Sequence, residues 1–223
     1  MQTETLRLGT PMTNLELLGT ELRAFFTTTA ALPFSGVIAS ESLDAPCRHS
    51  TPVVLVHGLF GSPTNFWTMR NHLSARGIAR FTNFAYRPQI DYQGLAPRLG
   101  AFLEDVCRRT EADAVDVVGH SLGGLIARYL IEHGNGRRIR RLVTLGAPWY
   151  GRRFPARELA LFAAADWLVP APGTDARGQI AVVPGCGHLS LIHAEDALEH
   201  VALYLSAAPR TIRLAVRSGA LAA

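Results

Sequence analysis

The stretch VDVVGHSLGG, residues 115–124, decides the fold. An apolar run leads into a turn with glycine on both sides of Ser121, and the segment LIARYLIEH, residues 125–133, follows it. Short apolar runs bounded by turn residues indicate buried strands, whereas a longer segment of this composition favours a helix. We therefore predict a strand over residues 115–119, a tight turn at Ser121 and a helix over residues 122–133.

Outward from this stretch, apolar runs alternate with longer amphipathic segments. The alternation predicts an α/β fold with a central, mostly parallel sheet and helices on both of its faces. The predicted strands are residues 53–57, 81–86, 115–119, 139–145, 159–165 and 180–184. The predicted helices are residues 65–76, 94–110, 122–133 and 195–206. The fifth strand is Ala-rich and could begin a helix by propensity alone, but a parallel sheet needs a strand between the fourth and the last.

The chain length of 223 residues fits one α/β domain with flanking segments. We predict an N-terminal extension over residues 1–50, the core domain over residues 51–207 and a C-terminal tail over residues 208–223. Within the extension, Asn14 is expected to cap a helix that ends near Pro33. The apolar stripe of this helix is expected to pack on the core, with a lipid-facing surface as the alternative. The stripe consists of Leu15, Leu18, Leu22, Phe25 and Phe26.

The composition argues against several classes of protein. The formal net charge is +4, but the arginines are scattered, so no nucleic-acid partner is expected. The one short basic run is interpreted as a solvated turn and consists of Arg137, Arg138, Arg140 and Arg141. Three cysteines without metal-type spacing indicate free thiols, and neither a metal nor a cofactor is expected. The start of the chain lacks a secretory pattern, so we expect a cytoplasmic protein, or a secreted one whose leader was removed, in monomeric or small homo-oligomeric form.

Ser121 is the strongest candidate for a catalytic residue. Its surroundings match G-x-S-x-G between a strand and a helix, the pattern of a nucleophile elbow. The turn is so tight that Gly119 and Gly123 must lack side chains, which leaves Ser121 projecting at the start of a helix. The free amide groups and the helix dipole favour a developing negative charge there. The pattern therefore predicts Ser121 as the nucleophile.

A base and its acidic partner are expected after the serine in the chain. His188 follows a predicted strand in a Gly-flanked loop, just before the last helix, and we predict it as the base. Asp166 lies where the fifth predicted strand ends and is the preferred acid, with Asp175 as the fallback. The acid would orient the imidazole and stabilise its protonated form. Cys186 lies close to His188, but it has no elbow and is not expected to be a nucleophile.

A second loop follows the first predicted strand in TPVVLVHGLFGS, residues 51–62. Such a loop supplies one backbone amide for an oxyanion hole, and the elbow supplies the other. The expected donors are the amides of Leu59 and Leu122. His57 precedes the serine, so we predict that it holds this loop rather than acts as the base.

With these segments in place, the chain resembles the α/β-hydrolase lipases, and most closely the small lidless bacterial lipases typified by the secreted lipase of Bacillus. The resemblance covers about residues 52–205. It rests on VVLVHGLFGS with the following NFW, on VDVVGHS, RLVTLGAPW, FAAADWLV and GCGHLSLI. The chain departs from the Bacillus enzymes at Gly119, where they have Ala, and in the segments before and after the core.

This resemblance implies the α/β-hydrolase fold with a minimal lid or none, and the same triad and oxyanion hole. Together with the residues, it predicts a carboxylester hydrolase, an esterase or lipase that forms an acyl-enzyme on Ser121 and acts on an ester or lipid. The candidate substrate contacts, which could equally belong to the core, are Phe60, Trp149, Tyr150, Trp167 and Leu189. The alternatives are an acyltransferase or thioesterase with the same triad, a lyase or cofactor-free peroxidase, and a non-catalytic binding protein on this fold.

Overall fold

The computed structural model describes residues 13–30 and 40–207. These residues form one sheet of six parallel strands in the order β2-β1-β3-β4-β5-β6. The strands are β1 Val53–Val56, β2 Phe81–Phe84, β3 Val115–His120, β4 Ile139–Leu145, β5 Glu158–Ala163 and β6 Gln179–Val183. The predicted fold class is confirmed, and the Ala-rich segment is a strand with parallel neighbours on both sides.

Five α-helices accompany the sheet within the described part of the chain. They are α1 Asn14–Ala30, α2 Trp67–Ser74, α3 Tyr92–Thr110, α4 Leu122–Glu132 and α5 Glu195–Ser206. Two short 3-10 helices span Pro63–Phe66 and Ser190–His193. The helix predicted at residues 65–76 therefore begins with a 3-10 turn. The helix predicted from residue 94 starts earlier, because the Asp91 side chain accepts a hydrogen bond from the Gly94 amide at 2.9 Å and caps it.

Strands β1 to β5 are largely buried on both faces, as parallel strands between two helical layers are, whereas the edge strand β6 is mostly exposed or half-buried. Alternate residues of β1 face opposite sides: Val53 and Leu55 belong to one apolar cluster, and Val54 and Val56 belong to the other. The first cluster includes apolar residues of α2 and α5, and the second includes those of α3 and α4. The sheet is therefore covered on both faces, and the carboxyl ends of its strands meet at one edge.

Helix α1 differs from its prediction in its cap and in its packing face. Thr13 rather than Asn14 caps the helix, because its side chain accepts from the Glu16 amide while the Glu16 carboxylate accepts from the Thr13 amide. Leu18 and Leu22 were predicted to pack on the core, but they are exposed. The side chains of Leu15, Phe25 and Phe26 lie outside the described residues.

The face of α1 that meets the core instead carries Leu17, Glu21 and Ala24, of which Ala24 is buried. The helix packs there on the 3-10 helix Ser190–His193. The difference arises because a carboxylate, Glu21, lies on the contact face, where the apolar pattern predicts a hydrophobic residue.

The basic run near β4 is engaged in ion pairs and hydrogen bonds. Arg137 and Arg138 both pair with Glu104, and Arg140 pairs with the buried Asp116. Arg141, predicted to be part of a solvated turn, is buried and donates to the backbone carbonyls that end α5. This run therefore joins helices to the sheet.

The predicted N-terminal extension is partly described by the structure, and the predicted C-terminal tail is not described. Residues 41–50 of the predicted extension lie against the sheet, where the Ser42 amide donates to the Phe81 carbonyl and His49 contacts Asp116. The predicted tail, residues 208–223, lies outside the described residues. Across the described ranges, no helix has both the length and the apolar character that crossing a membrane requires.

Candidate active site

The turn between β3 and α4 brings Ser121 to the carboxyl edge of the sheet. Ser121 has φ +52° and ψ −123°, a left-handed conformation that is uncommon for a residue with a side chain. Its amide donates to the Leu145 carbonyl of β4 at 2.8 Å. A Cβ atom at Gly119 would lie 2.6 Å from the Gly124 backbone, and one at Gly123 would lie 2.2 Å from the Val56 carbonyl oxygen. Both glycines are therefore required by close approach of the backbone.

His188 and Asp166 lie on the loops that follow β6 and β5. The His188 Nδ1 atom is 2.7 Å from the Asp166 Oδ2 atom, and its Nε2 atom is 3.0 Å from the Ser121 Oγ atom. Both His188 and Asp166 are buried. Among the sequence candidates, the structure therefore brings Ser121, His188 and Asp166 together in one line of hydrogen bonds.

The Asp166 carboxylate is held on both of its oxygens. Oδ1 accepts from the amides of Leu168 and Val169 at 2.9 and 2.8 Å, and Oδ2 faces His188. The two amides fix the orientation of the carboxylate, so that Oδ2 is directed at His188 Nδ1. The fallback candidate Asp175 is exposed and pairs with Arg152 instead. An ionised Asp166 requires a proton on His188 Nδ1, which leaves Nε2 free to accept the proton of Ser121.

His120 contacts the segment after β6 that carries His188, residues 184–190, which we call the histidine loop. Burial and the neighbouring His188 lower the pKa of His120 to about 3, so its ring is neutral. The His120 Nε2 atom lies 3.1 Å from the His188 carbonyl oxygen and donates to it, and the two rings are 5.0 Å apart. This contact holds the backbone of the residue that carries the candidate base.

His57 occupies the start of the second loop and is packed against an aromatic ring. It stacks on Tyr86 with ring centroids 4.4 Å apart, and the Tyr86 hydroxyl donates to the His57 carbonyl at 2.7 Å. Burial lowers the pKa of His57. These contacts fit the loop-holding role predicted for it.

The loop after β1 passes directly beside the serine. A Cβ atom at Gly58 would lie 3.0 Å from the Ser121 Cβ atom, and the Gly61 amide donates to the Gly58 carbonyl at 3.0 Å. Leu59 and Leu122 both line the space in front of Ser121. Donation from their amides to an oxyanion stays a prediction, which this proximity supports.

Ser121 and His188 open into a cleft of about 860 Å³ with largely apolar walls. Three of the predicted substrate contacts line this cleft, namely Phe60, Trp149 and Leu189. The other two, Tyr150 and Trp167, are not among its lining residues. The Trp167 side chain is 82% exposed. Tyr150 makes a side-chain hydrogen bond to Glu132 at the end of α4, and partial burial together with this bond raises the pKa of Tyr150.

Several lining residues were missed in the sequence. They are Ile90, Pro148, Leu168, Val169, Pro170 and Ile192. Most of them lie just after the carboxyl end of a strand, and such loops form the binding crevice of an open parallel sheet. Their position relative to Asp166 and His188 was therefore the available signal, whereas their apolar character alone also fits a core residue.

The three cysteines are free. Cys186 is buried near His188, and burial raises the pKa of its thiol to about 12. A protonated thiol is a poor nucleophile, so the serine is the better candidate. Within the described residues, no group of three or more His, Cys, Asp or Glu side chains could hold a metal ion.

Residues 49–169 match the family model described as "Putative serine esterase (DUF676)". A triacylglycerol lipase of Burkholderia plantarii is 27% identical over 135 residues, which are 56% of this chain and 37% of that relative. A triacylglycerol lipase of Pseudarthrobacter phenanthrenivorans is 28% identical over 113 residues, 46% and 34% of the two chains. The chain thus spans little more than a third of the length of these curated relatives.

The fold is similar to that of solved hydrolases. A lipase of Bacillus licheniformis has a TM-score of 0.56 at 18% identity over 74% of this chain and 96% of its own. A CIB-like hydrolase from Thermoplasma acidophilum has a TM-score of 0.56 at 15% identity over 71% and 87% of the two chains. These likenesses confirm the predicted α/β-hydrolase fold.

Proposed function

The chain belongs to the DUF676 family of serine esterases, and we propose that it hydrolyses carboxylic esters through an acyl-enzyme on Ser121. The observation that carries the proposal is the line of hydrogen bonds from Ser121 through His188 to Asp166, at 3.0 and 2.7 Å. The triacylglycerol lipases that are similar in sequence support an ester as the substrate.

In the first half of the reaction, the Ser121 oxygen attacks the ester carbonyl carbon while His188 Nε2 takes the hydroxyl proton. The carbonyl oxygen becomes an oxyanion that accepts from the amides of Leu59 and Leu122, each worth about 3 kcal/mol of transition-state stabilisation. The bond to the alkoxy group then breaks, and His188 returns the proton to the departing alcohol. The product is an ester of Ser121 with the acyl group.

In the second half, His188 takes a proton from water, and the resulting hydroxide attacks the acyl carbon. The bond to the Ser121 oxygen breaks, that oxygen recovers the proton, and the carboxylic acid leaves. Asp166 keeps its negative charge throughout and stabilises the protonated His188. Because the cleft is open to solvent at Ser121, we propose water as the second nucleophile rather than another alcohol or a thiol.

The walls of the cleft support an ester with an apolar acyl chain. Trp149, Leu189 and Ile192 line it close to the serine and histidine. Each methylene group that moves from water into such a surface contributes about 0.8 kcal/mol. We therefore propose that kcat/KM rises with acyl length until the cleft is filled.

The rim of the cleft supports a lipid surface as the place of action. Phe60, Ile90 and Leu168 line the cleft but remain 81%, 76% and 57% exposed, and the exposed Trp167 directly precedes Leu168 in the chain. An apolar rim of this kind can enter the boundary between lipid and water. We propose that Trp167→Ser lowers turnover of emulsified esters more than of soluble ones, with Leu203→Ser on α5 as the control. An equal loss on both substrates would contradict the proposal.

The proposed reaction is tested with p-nitrophenyl esters of increasing acyl length. Ser121→Ala is expected to lower kcat by roughly 10³- to 10⁶-fold, while the exposed Ser206→Ala on α5 leaves it unchanged. A fluorophosphonate should add its mass to the peptide that contains Ser121 in the wild type and in Ser206→Ala, but not in Ser121→Ala. Hydrolysis that survives in Ser121→Ala would overturn the assignment.

A further inference from the structure

We propose that Glu21, on the N-terminal helix α1, is a positioning residue for His188. The inference rests on the proposed function, because it assigns Glu21 a part in holding the base of that reaction. The residue is separated from the histidine loop by 168 residues of sequence, and its contacts carry the argument.

The Glu21 carboxylate binds the backbone immediately after His188. Its Oε2 atom accepts from the Leu189 amide at 2.9 Å, and its Oε1 atom accepts from the Ser190 amide at 2.9 Å. Oε1 also accepts from the Ser190 hydroxyl at 2.6 Å. One side chain thus takes three hydrogen bonds from two consecutive residues. Hydrogen bonds to an ionised carboxylate are roughly twice as strong as those between neutral groups.

The contact continues to the residue before His188. The Ser190 Oγ atom accepts from the Gly187 amide at 2.9 Å while it donates to Glu21. A Cβ atom at Gly187 would lie 2.9 Å from the Glu21 carboxyl carbon and 3.1 Å from the Leu17 Cδ1 atom. The side chains of Glu21 and Leu17 therefore lie so close to the backbone at residue 187 that a side chain there would have to displace them.

Two side chains thus hold the backbone of His188 from opposite directions. His120 donates to its carbonyl oxygen, and Glu21 binds the amides of the next two residues. The ring of His188 is oriented at Nδ1 by Asp166. Without Glu21, the loop would keep the contacts to Asp166 and His120 but lose the three hydrogen bonds that restrain Leu189 and Ser190.

This arrangement predicts a specific kinetic effect. A small displacement of a catalytic group can cost up to about 100-fold in rate. Glu21→Ala is therefore expected to lower kcat by roughly 10- to 100-fold, with a smaller change in KM, because cleft walls outside this loop, such as Phe60 and Trp149, keep their positions. Glu21→Gln keeps the size of the side chain and one accepting oxygen but turns an NH₂ group towards an N–H donor. Its loss of kcat should therefore be smaller than that of Glu21→Ala.

The matched control is Glu16→Gln. Glu16 is an exposed glutamate of the same helix, its change removes the same charge, and its described hydrogen bonds go only to Thr13. Glutamine is also accepted at that capping position. The control should keep the wild-type kcat.

The experiment measures kcat and KM on a soluble p-nitrophenyl ester, with active sites counted by fluorophosphonate titration so that unfolded protein is excluded. The low-field NMR signal of the proton on His188 Nδ1 is recorded in parallel. We expect Glu21→Ala to lose kcat per titrated site and to weaken this signal, whereas Glu16→Gln keeps both. A wild-type kcat per titrated site in Glu21→Ala, or an unchanged NMR signal, would overturn the inference.

A double variant keeps the inference testable if Glu21→Ala yields little folded protein. Ser190→Ala removes the link between Glu21 and Gly187. In that background, the further loss caused by Glu21→Gln should be smaller than in the wild type. Purely additive losses would contradict a shared role. Failure of the proposed function is recognised separately, because the wild type would then resist the fluorophosphonate or Ser121→Ala would remain active.

Discussion

The elbow that carries Ser121 and the loop that carries His188 are held in different ways. The elbow is contiguous in sequence, and its shape follows from a strand, a helix and two glycines, Gly119 and Gly123, with no room for a side chain. The histidine loop has little regular structure of its own. Its position depends on side chains from elsewhere, namely Asp166, His120 and Glu21.

This difference predicts how each region fails. The elbow is part of the sheet and its packing, so a change there should reduce stability and activity together. The histidine loop is held by individual hydrogen bonds, so a change there can reduce activity while most of the unfolding free energy remains.

Asp166→Asn should have the largest effect on the histidine loop. The asparagine oxygen would keep the two backbone amides that Oδ1 accepts from, so its NH₂ group would replace Oδ2 and donate towards His188 Nδ1. The imidazole would then take the wrong tautomer. We expect kcat to fall by roughly 10⁴-fold, equivalent to about 5 kcal/mol, with a small change in the midpoint of thermal unfolding. Asp175→Asn, the exposed aspartate paired with Arg152, is the control and should retain wild-type kcat. A similar loss in both variants would contradict the assignment of Asp166.

Gly123→Ala should break the elbow. The new methyl group would lie 2.2 Å from the Val56 carbonyl oxygen and 2.6 Å from that of His57. We expect a loss of about 3 kcal/mol in the free energy of unfolding in urea, together with loss of ester hydrolysis. Gly100→Ala in α3 is the control, because its methyl group would make an ordinary contact 3.4 Å from Leu130. A Gly123→Ala protein as stable as the wild type would show that the elbow tolerates a side chain.

His120→Phe should remove the contact beneath His188 without changing the fold. The Phe ring has no donor for the His188 carbonyl, so kcat should fall by about tenfold, the equivalent of one hydrogen bond. His120→Gln, which keeps an N–H donor at the end of its side chain, should recover most of this loss. An equally low kcat in His120→Phe and His120→Gln would argue against a role for this hydrogen bond.

Replacing His120 should also change how the free energy of unfolding depends on pH in the acid range. Because the folded pKa of His120 is lowered to about 3 from about 6.5 in the unfolded chain, the unfolded state binds more protons between these values. The contribution of His120 to stability is therefore complete above pH 6.5 and is lost as the pH falls towards 3. His120→Phe should lose less unfolding free energy than the wild type over this range, as measured by urea unfolding at a series of pH values. Parallel curves would contradict the buried neutral state.

Phe60→Gly should have the smallest effect on stability and a selective effect on substrate. Phe60 has φ +57° and is 81% exposed, so it adopts a strained backbone without burying its ring. We expect the free energy of unfolding to rise by up to about 1 kcal/mol, while kcat/KM falls for long acyl esters and not for acetate. Glu111→Gly, which relieves a similar φ of +53° at the end of α3, should stabilise without altering the acyl preference. An equal preference for acyl-chain length in the wild type, Phe60→Gly and Glu111→Gly would exclude Phe60 from acyl binding.

The parts of the molecule that could be predicted from sequence are those encoded over short distances. The strand-turn-helix around Ser121 is visible because the glycines and the apolar run are adjacent in the chain. Asp166 and His188 could be placed because each follows a strand, and parallel strands end at the same edge of the sheet. The pairing of β5 with both neighbours removed the ambiguity of its Ala-rich segment.

The remainder depends on contacts between distant segments, which periodicity does not encode. In α1 the apolar positions Leu18 and Leu22 are exposed, whereas Glu21 faces the core because three donors of the histidine loop satisfy its carboxylate. Ile90 lines the cleft from the loop between β2 and α3, and its apolar character alone does not indicate this. Trp167 is next to Asp166 in sequence, yet its side chain points to solvent.

The position of Glu21 also bears on how the protein can be shortened. The span that matches the family model, residues 49–169, contains Ser121 and Asp166 but neither His188 nor α1. A fragment cut to that span would lack His188, which is the proposed base, the helix α1 that contacts its loop, and the β6 edge of the sheet. For recombinant work, a fragment that keeps these contacts therefore has to begin at or before Thr13 and extend through α5.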